Sequence, residues 1–123
     1  MGKRILLIDD DELLCEVLVD FLELSGFEMT TAGNGRQGLE RLADSAPFDL
    51  ILLDLVMAEM DGIRFLKAFE ELPGRRPPVM VLSASATADV VDALDFADVV
   101  GVVRKPVRPE VLLERIAAVP GAG

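Results

Sequence analysis

Four short runs of apolar residues recur along the chain, at residues 5–8, 50–53, 79–82 and 99–103. None of them alternates with polar residues, so each is typical of a strand that is buried on both faces of a parallel sheet. A fifth segment, residues 27–31, is β-branched and aromatic but more polar. We predict that it forms a strand at the edge of the sheet.

Helical periodicity fills the intervals between these strands. A first helix is predicted behind Asp11, a potential N-cap, and it ends at Gly26. A second helix is predicted from residue 34 or 35 to 43, and the fifth begins with Pro109 in its first turn. The periodic apolar positions of the first, third, fourth and fifth helices are Leu13, Leu14, Val17, Leu18, Phe21 and Leu22; Ile63, Leu66 and Phe69; Val90, Val91 and Leu94; and Leu112, Leu113 and Ile116.

Strand and helix therefore alternate five times, which predicts an α/β fold. Short connections with right-handed crossovers favour a doubly wound parallel sheet of five strands and five helices. We assign residues 1–119 to one domain and residues 120–123 to a tail or the start of a linker.

Composition and charge exclude several classes of protein. The chain is 51% hydrophobic and 28% charged, so it is not disordered. Its 12 basic and 22 acidic residues give a net charge of −10, so we expect no direct binding to nucleic acid or membrane. No apolar run is long enough for a signal peptide or a membrane span. We expect a cytoplasmic protein.

Two scarce residue types narrow the chemistry further. The chain has no histidine, which excludes histidine-activated nucleophiles and histidine-ligated zinc. The one cysteine, Cys15, cannot form an internal disulfide, and its helical register indicates a role in packing rather than in redox chemistry.

Polar residues end four of the predicted strands: Asp9, Asp10 and Asp11 end the first, and Asp54, Ser83 and Lys105 end the third, fourth and fifth. Open α/β sheets bind ligands at this edge, near the point where the strand order reverses. If the first and third strands are neighbours, their acids converge and need a cation to remain ionised together. Oxygen ligands without Cys or His select a hard ion such as Mg²⁺ or Mn²⁺.

The same groups permit an acyl phosphate to form on an aspartate. An ionised aspartate is a nucleophile at neutral pH, while a metal, a lysine and a hydroxyl neutralise the phosphoryl oxygens. Structural roles explain part of the set, because Asp11 fits a helix N-cap and Asp9 and Asp10 fit the positive end of a helix dipole. Asp54 ends a wholly apolar strand, where a carboxylate has little structural role. The shared location of the carboxylates, the hydroxyl and the ammonium at one edge of the sheet favours a functional role over a purely structural one.

In order and spacing, these residues resemble the receiver domain of two-component response regulators. The motifs are Ile8-Asp9-Asp10-Asp11, Asp54-Leu-Val-Met-Ala-Glu-Met-Asp61-Gly62, Ser83-Ala84 and Lys105-Pro106. The resemblance spans Lys3 to about Val119. It implies a flavodoxin-like sheet of order 2-1-3-4-5 and a signalling switch rather than a turnover enzyme.

The resemblance also implies how phosphorylation occurs. Asp54 would accept the phosphoryl group from the phosphohistidine of a sensor histidine kinase or a phosphotransfer protein. Asp10, Asp54 and the backbone carbonyl of Val56 would bind Mg²⁺ or Mn²⁺, and Asp9 would act through a metal-bound water.

Further implications of the resemblance concern the switched state. Ser83 would hold the phosphoryl group, Lys105 would pair with it, and Lys105-Pro106 would be a cis peptide. The first helix would face the kinase, and the surface of the fourth helix, fifth strand and fifth helix would bind a downstream effector. The chain has no room for an output domain, so we expect a stand-alone regulator or the receiver of a longer protein.

Departures from the family pattern concern the switch and the lifetime of the phosphoryl group. Ala58 stands where the family usually has Pro, and Val102 stands where it usually has Tyr or Phe. The aromatic ring that normally swings inward is therefore absent. Val56 is apolar and Ser85 is small, and neither is suited to orient a water for attack on the phosphoryl group, so we predict slow self-dephosphorylation.

Three other interpretations compete with a phosphorylated receiver domain. Residues 33–38 match the dinucleotide-binding pattern G-x-G-x-x-G, but an Asn-Gly turn into a helix explains them more simply. A haloacid-dehalogenase-like phosphatase would use Asp9 as its nucleophile, but its later acidic pair is missing and Asp54 would be unexplained. The third is a receiver-like docking module that is not phosphorylated.

Overall fold

The computed structural model describes residues 2–44, 47–57, 61–84 and 88–122. Strands and helices alternate along the chain as predicted. The strands are β1 (Arg4–Ile8), β2 (Glu28–Ala32), β3 (Leu50–Asp54), β4 (Val79–Ser83) and β5 (Val99–Arg104). The helices are α1 (Glu12–Leu24), α2 (Gly35–Asp44), α3 (Gly62–Glu70), α4 (Ala88–Leu94) and α5 (Pro109–Ala117).

All four strand pairings are parallel, and the sheet order is β2-β1-β3-β4-β5. This confirms the doubly wound, flavodoxin-like fold. The order reverses between β1 and β3, because the chain leaves β1 for β2 on one side and then crosses back. The expected ligand edge therefore lies where β1 and β3 end side by side.

The central strands β1, β3 and β4 are apolar except at one terminal residue each, because each contributes to two cores. One core lies on the side of α2 and α3 and contains Leu6, Ile51 and Phe65. The other lies on the side of α1 and α5 and contains Ile5 and Leu52. Successive side chains in a strand point to opposite faces, so a strand covered on both faces has no polar positions to spare.

Part of the apolar pattern of α1 points outward. Leu18 and Leu22 are buried as the periodicity predicted, but Leu13 is 71% exposed and Val17 is 47% exposed. The apolar residues of α1 cover a wider arc than the sheet can bury. Helical spacing alone could not separate the core stripe from the exposed residues beside it.

The termini of α1 and of the chain show two further details. Asp11 caps α1, since its Oδ1 accepts the N–H of Leu14 at 3.1 Å, as the sequence predicted. After α5, Val119 and Ala122 are buried in the core on the side of α1 and α5. Among the described residues, no helix has the length and apolarity required to cross a membrane.

Candidate functional site

The strand register sets the positions of the two buried acids. Ile8 of β1 pairs with Leu53 of β3, so the next residues, Asp9 and Asp54, leave the sheet side by side. Asp9 is 2% exposed and Asp54 is 5% exposed. Two carboxylates therefore meet with little access to solvent.

The same register brings the hydroxyl and the ammonium to this edge. Asp54 pairs with Leu82, so Ser83 follows one step beyond it on β4. Lys105 follows the end of β5, and its backbone N–H donates to the carbonyl of Ser83 at 2.7 Å. The Lys105-Pro106 peptide is cis, as the resemblance implied.

A third acid completes the cluster. Oxygens from the carboxylates of Asp9, Asp10 and Asp54 lie within 4.8 Å of one another, and Asp10 is exposed. Three carboxylates against one ammonium leave an excess of negative charge in a largely buried place. This donor set fits a hard divalent cation, and its exposed member gives the ion a route from solvent.

Asp9 is held on both of its carboxylate oxygens. Oδ1 accepts the backbone N–H of Asp11 at 2.9 Å, and Oδ2 lies 2.9 Å from Nζ of Lys105. The direct pairing of Asp9 with Lys105 was not predicted, because nothing in the sequence links residues on two strands that are not neighbours.

Asp54 is held less tightly. Its Oδ1 accepts the N–H of Val56 at 3.3 Å and lies 3.5 Å from Nζ of Lys105. Burial, and next the negative charge of Asp9, raise the pKa of Asp54 to about 6, although Lys105 acts in the opposite direction. A nearby cation favours the ionised form that a nucleophile requires.

Lys105 remains protonated in this setting. Burial lowers its pKa, but close contact with Asp9 and then the charges of Asp9 and Asp54 outweigh that effect and raise it above 10.5. The ammonium is therefore a permanent positive charge beside both acids.

The thiol of Cys15 lies beneath this cluster, where its Sγ donates to the backbone carbonyl of Asp9 at 3.5 Å. Burial and the charges of Asp9 and Asp11 raise the pKa of the thiol to about 11. A thiol that does not ionise at neutral pH is a poor nucleophile, which agrees with the interpretation of Cys15 as a packing residue.

The loop after β3 depends on the absence of a side chain at Gly62. The N–H of Gly62 donates to the carbonyl of Leu55 at 2.9 Å. A Cβ at Gly62 would lie 2.7 Å from Cα of Leu55 and 2.9 Å from the carbonyl oxygen of Asp54. This glycine was part of a predicted motif, but its contact with the end of β3 was not predicted. The signal in the sequence was a glycine directly after Asp61, which caps α3.

The glycine-rich motif at residues 33–38 serves packing. A Cβ at Gly38 would lie 2.5 Å from Cδ1 of Ile8 and 3.2 Å from Cε1 of Phe65, so this glycine lets α2 approach the sheet. Asn34 accepts the N–H of Gln37 at 2.9 Å, which is the turn into a helix that the sequence favoured.

Two of the departures from the family pattern lie near this edge. The side chain of Val56 is 72% exposed, and Val102 is partly buried against the core on the side of α2 and α3. Ala58 and Ser85 lie outside the described residues.

Sheet order and site together define a class. The molecule is a doubly wound α/β protein with an acidic cluster at the topological switch point, in which an aspartate, a hydroxyl and a lysine come from three separate strands or their ends.

The sequence model of the response regulator receiver domain matches residues 5–117, and the chain belongs to this family. The DNA-binding response regulator MtrA of Mycolicibacterium smegmatis is 38% identical over 119 residues, which are 96% of this chain and 50% of that protein. The CpxR homolog of Haemophilus influenzae is 42% identical over 82 residues, which are 67% of this chain and 34% of that protein. The chain thus spans half or less of the length of these relatives.

Solved structures agree with the assignment. A CheY-like receiver domain from Methanospirillum hungatei is 31% identical, with a TM-score of 0.84 over 95% of this chain and 92% of that one. The chemotaxis response regulator CheY4 of Vibrio cholerae is 27% identical, with a TM-score of 0.85 over 95% and 98% of the two chains. The protein is a receiver domain of two-component signal transduction, a family of signalling switches that bind Mg²⁺ at an acidic pocket.

Proposed function

We propose that Asp54 is the phospho-acceptor and that it receives the phosphoryl group from the phosphohistidine of a sensor histidine kinase or a phosphotransfer protein. The observation that carries this proposal is the carboxylate of Asp54, buried beside Asp9 and 3.5 Å from the ammonium of Lys105. An oxygen of Asp54 forms the new P–O bond as the P–N bond to the donor imidazole breaks, and the imidazole keeps that electron pair.

We propose that Asp10, Asp54 and the backbone carbonyl of Val56 bind Mg²⁺ or Mn²⁺ directly and that Asp9 binds through a water. The convergence of the Asp9, Asp10 and Asp54 carboxylates within 4.8 Å supports this set. When bound, the ion supplies positive charge that offsets repulsion between the acids and the incoming phosphoryl group.

Lys105 and Ser83 are proposed to hold the transferred group. Lys105 keeps its proton, so it can pair with a phosphoryl oxygen without any change in protonation. Ser83 follows Asp54 by one register step on the neighbouring strand and is 7% exposed, which puts a hydroxyl beside the acceptor.

The contacts of Asp9 disfavour it as the nucleophile of a phosphatase. Both of its oxygens are bound, one by the N–H of Asp11 and the other by Lys105. Attack by Asp9 would require it to give up at least one of these contacts. We therefore propose a switch that catalyses only its own phosphorylation and dephosphorylation.

Two exposed surfaces support the proposed partners. On α1, Leu13 and Val17 lie beside Glu12, Glu16 and Asp20. This apolar and acidic surface, next to the site, is proposed to contact the phosphodonor. Since α1 carries four acids and no base, a basic partner surface is expected.

A second surface carries exposed apolar residues of α4, β5 and α5: Val91, Leu94, Val100 and Val111. We propose that it binds the downstream effector after phosphorylation. For these 123 residues, with their net charge of −10, we propose no direct contact with nucleic acid or membrane, and we propose a cytoplasmic location in keeping with the family.

Intact mass after incubation with acetyl phosphate and Mg²⁺ tests the proposal. We expect a phosphoryl adduct on the wild type that is absent from Asp54→Asn and present on Asp61→Asn. The second variant is a matched control, because asparagine also caps helices. An adduct that survives Asp54→Asn and is lost in Asp9→Asn would overturn the proposal and favour the phosphatase. Absence of both adduct and Mg²⁺ binding from a folded wild type would overturn it and favour the docking module.

A further inference from the structure

We propose that a cavity at the opposite end of the sheet from Asp54 binds a small aromatic carboxylate. The cavity has a volume of about 510 Å³ and lies near the starts of β3 and β4. This volume falls within the range of roughly 300–1,000 Å³ that is typical of small-molecule sites. The proposal is independent of the phosphorylation site.

Aromatic rings and prolines form a rigid part of the cavity wall. Phe48 and Phe69 are buried with 6% and 1% of their surface exposed, and Phe69 stacks on Phe65 with ring centroids 5.5 Å apart. Five prolines line the same space: Pro47, Pro73, Pro77, Pro78 and Pro120. Proline has a fixed φ, so walls of this kind are formed before a ligand arrives, and they suit a flat apolar ring.

A guanidinium group is fixed at the cavity wall. Nε of Arg76 lies 2.9 Å from Oδ2 of Asp98, and Nη1 donates to the carbonyl of Leu72 at 3.0 Å. These contacts engage Nε and Nη1 of the planar guanidinium, and neither of them uses Nη2. Arg75 also lines the cavity, and its side chain is exposed.

Two acids near the cavity are already hydrogen-bonded. The Oδ2 of Asp49 accepts the backbone N–H of Arg4 at 2.7 Å, and Asp98 pairs with the guanidinium of Arg76. Among the described residues that line the cavity, two are arginines, Arg75 and Arg76, and one is an acid, Asp49. The cavity wall thus carries more basic than acidic side chains, in a molecule whose net charge is −10.

Arginines beside preformed walls of rings and prolines select an anion that has an apolar body. The carboxylate of such a ligand would pair with Arg75 and with Nη2 of Arg76, while its ring would pack against Leu72 and the prolines. A neutral ring would lose the charge pairing, and a ring that carried a protonated amine would be repelled by the arginines.

The test is a ¹H–¹⁵N NMR titration of the full chain, without Mg²⁺ or phosphodonor, with 2-naphthoate as the probe. We expect saturable shifts of the Phe48, Leu72 and Arg75 amides. We expect 2-naphthalenemethanol, which has the same ring without the charge, to bind several-fold more weakly. Shifts that do not saturate, or that lie only at the Asp54 end, would overturn the proposal, as would equal binding of the two compounds.

A matched pair of charge reversals separates this site from general electrostatics. Arg75→Glu and Arg64→Glu both reverse an exposed arginine and change the net charge equally. We expect Arg75→Glu to weaken 2-naphthoate binding by roughly three- to tenfold, the scale of reversing one exposed ion pair. Arg64→Glu, at the start of α3 and away from the cavity, should leave binding unchanged. Equal weakening in the two variants would refute the assignment.

Discussion

The ammonium of Lys105 lies 2.9 Å from Oδ2 of Asp9, which is the acid that we do not propose as the phospho-acceptor. Its distance to Oδ1 of Asp54 is longer, at 3.5 Å. In this state the ammonium of Lys105 is therefore held mainly by Asp9 and less closely by Asp54. A phosphoryl group on Asp54 would offer Lys105 a stronger anionic partner close by, and the exchange of partner would need only a small movement of a long side chain.

Replacing Lys105 tests the importance of this cation. Lys105→Met leaves two buried carboxylates without a positive neighbour, so we expect the free energy of unfolding in EDTA to fall by about 2–4 kcal/mol. Mg²⁺ should restore more stability to this variant than to the wild type. Denaturant unfolding followed by circular dichroism measures both effects. Lys67→Met, at an exposed position on α3, is the control, and an equal loss in the two variants would contradict the prediction.

The raised pKa of Asp54 predicts pH-dependent Mg²⁺ binding. Because the pKa of Asp54 in the metal-free protein is about 6, protons compete with the ion below that pH. We expect affinity to change little between pH 8 and 7 and to fall roughly tenfold per unit below pH 6. The chain has no Trp or Tyr, so calorimetry is the suitable measurement. A constant affinity from pH 7.5 to 5 would show that Asp54 is not a ligand or does not titrate in this range.

The same raised pKa predicts that the ionised carboxylate of Asp54 destabilises the metal-free fold. The pKa of Asp54 rises from an ordinary 3.8 to about 6 on folding, so the folded state binds the proton more tightly. The stabilisation of the folded state by this proton is fully present below pH 4 and is lost as pH rises from about 4 to 6. In EDTA at pH 7.5, Asp54→Asn should be more stable than the wild type by about 1–3 kcal/mol. The difference should shrink at pH 4, and a difference that is independent of pH would contradict this account.

Val56 predicts a long-lived phosphoryl group. Its side chain is 72% exposed, lies two residues after Asp54 and has no polar atom with which to orient a water. We expect Val56→Asn to speed the decay of the phosphorylated protein several-fold, as followed by intact mass after removal of the donor. Val100→Asn, an equivalent change on the exposed surface of β5, should leave the decay unchanged. Faster decay in the wild type than in Val56→Asn would disprove the prediction.

A side chain at Gly62 is expected to disrupt packing in the loop after β3. Gly62→Ala would bring a Cβ within 2.7 Å of Cα of Leu55 and 2.9 Å of the backbone oxygen of Asp54. Backbone must move to relieve these contacts, so we expect a loss of about 1–3 kcal/mol in unfolding free energy and slower phosphorylation. In Gly33→Ala the new Cβ would meet only Oε1 of Gln37 at 3.4 Å. That variant should match the wild type in both measurements.

Much of the fold could be predicted from local patterns. Three of the continuous apolar runs form the central strands β1, β3 and β4, because a strand covered on both faces leaves no polar positions. The prediction was wrong for residues 99–103, which lie in β5 at the edge of the sheet, where Val100 is 51% exposed. The cap at Asp11 and the helix that follows it were likewise readable, since their interactions span only a few residues. The exposure of Leu13 and Val17 could not be predicted from such local patterns, because the burial of a helical residue depends on how much of the helix surface the sheet covers.

By itself the sequence determined the alternation of strands and helices, the ends of the strands that carry Asp54, Ser83 and Lys105, and the family they resemble. Only the tertiary structure decided that Lys105 contacts Asp9 more closely than Asp54, that Gly62 packs on the backbone at the end of β3, and that arginines and prolines line a cavity at the far end of the sheet. The reason is physical. Hydrophobic periodicity is a local property of the chain, whereas pairings across non-neighbouring strands and the shape of a cavity depend on the register and packing of elements far apart in sequence.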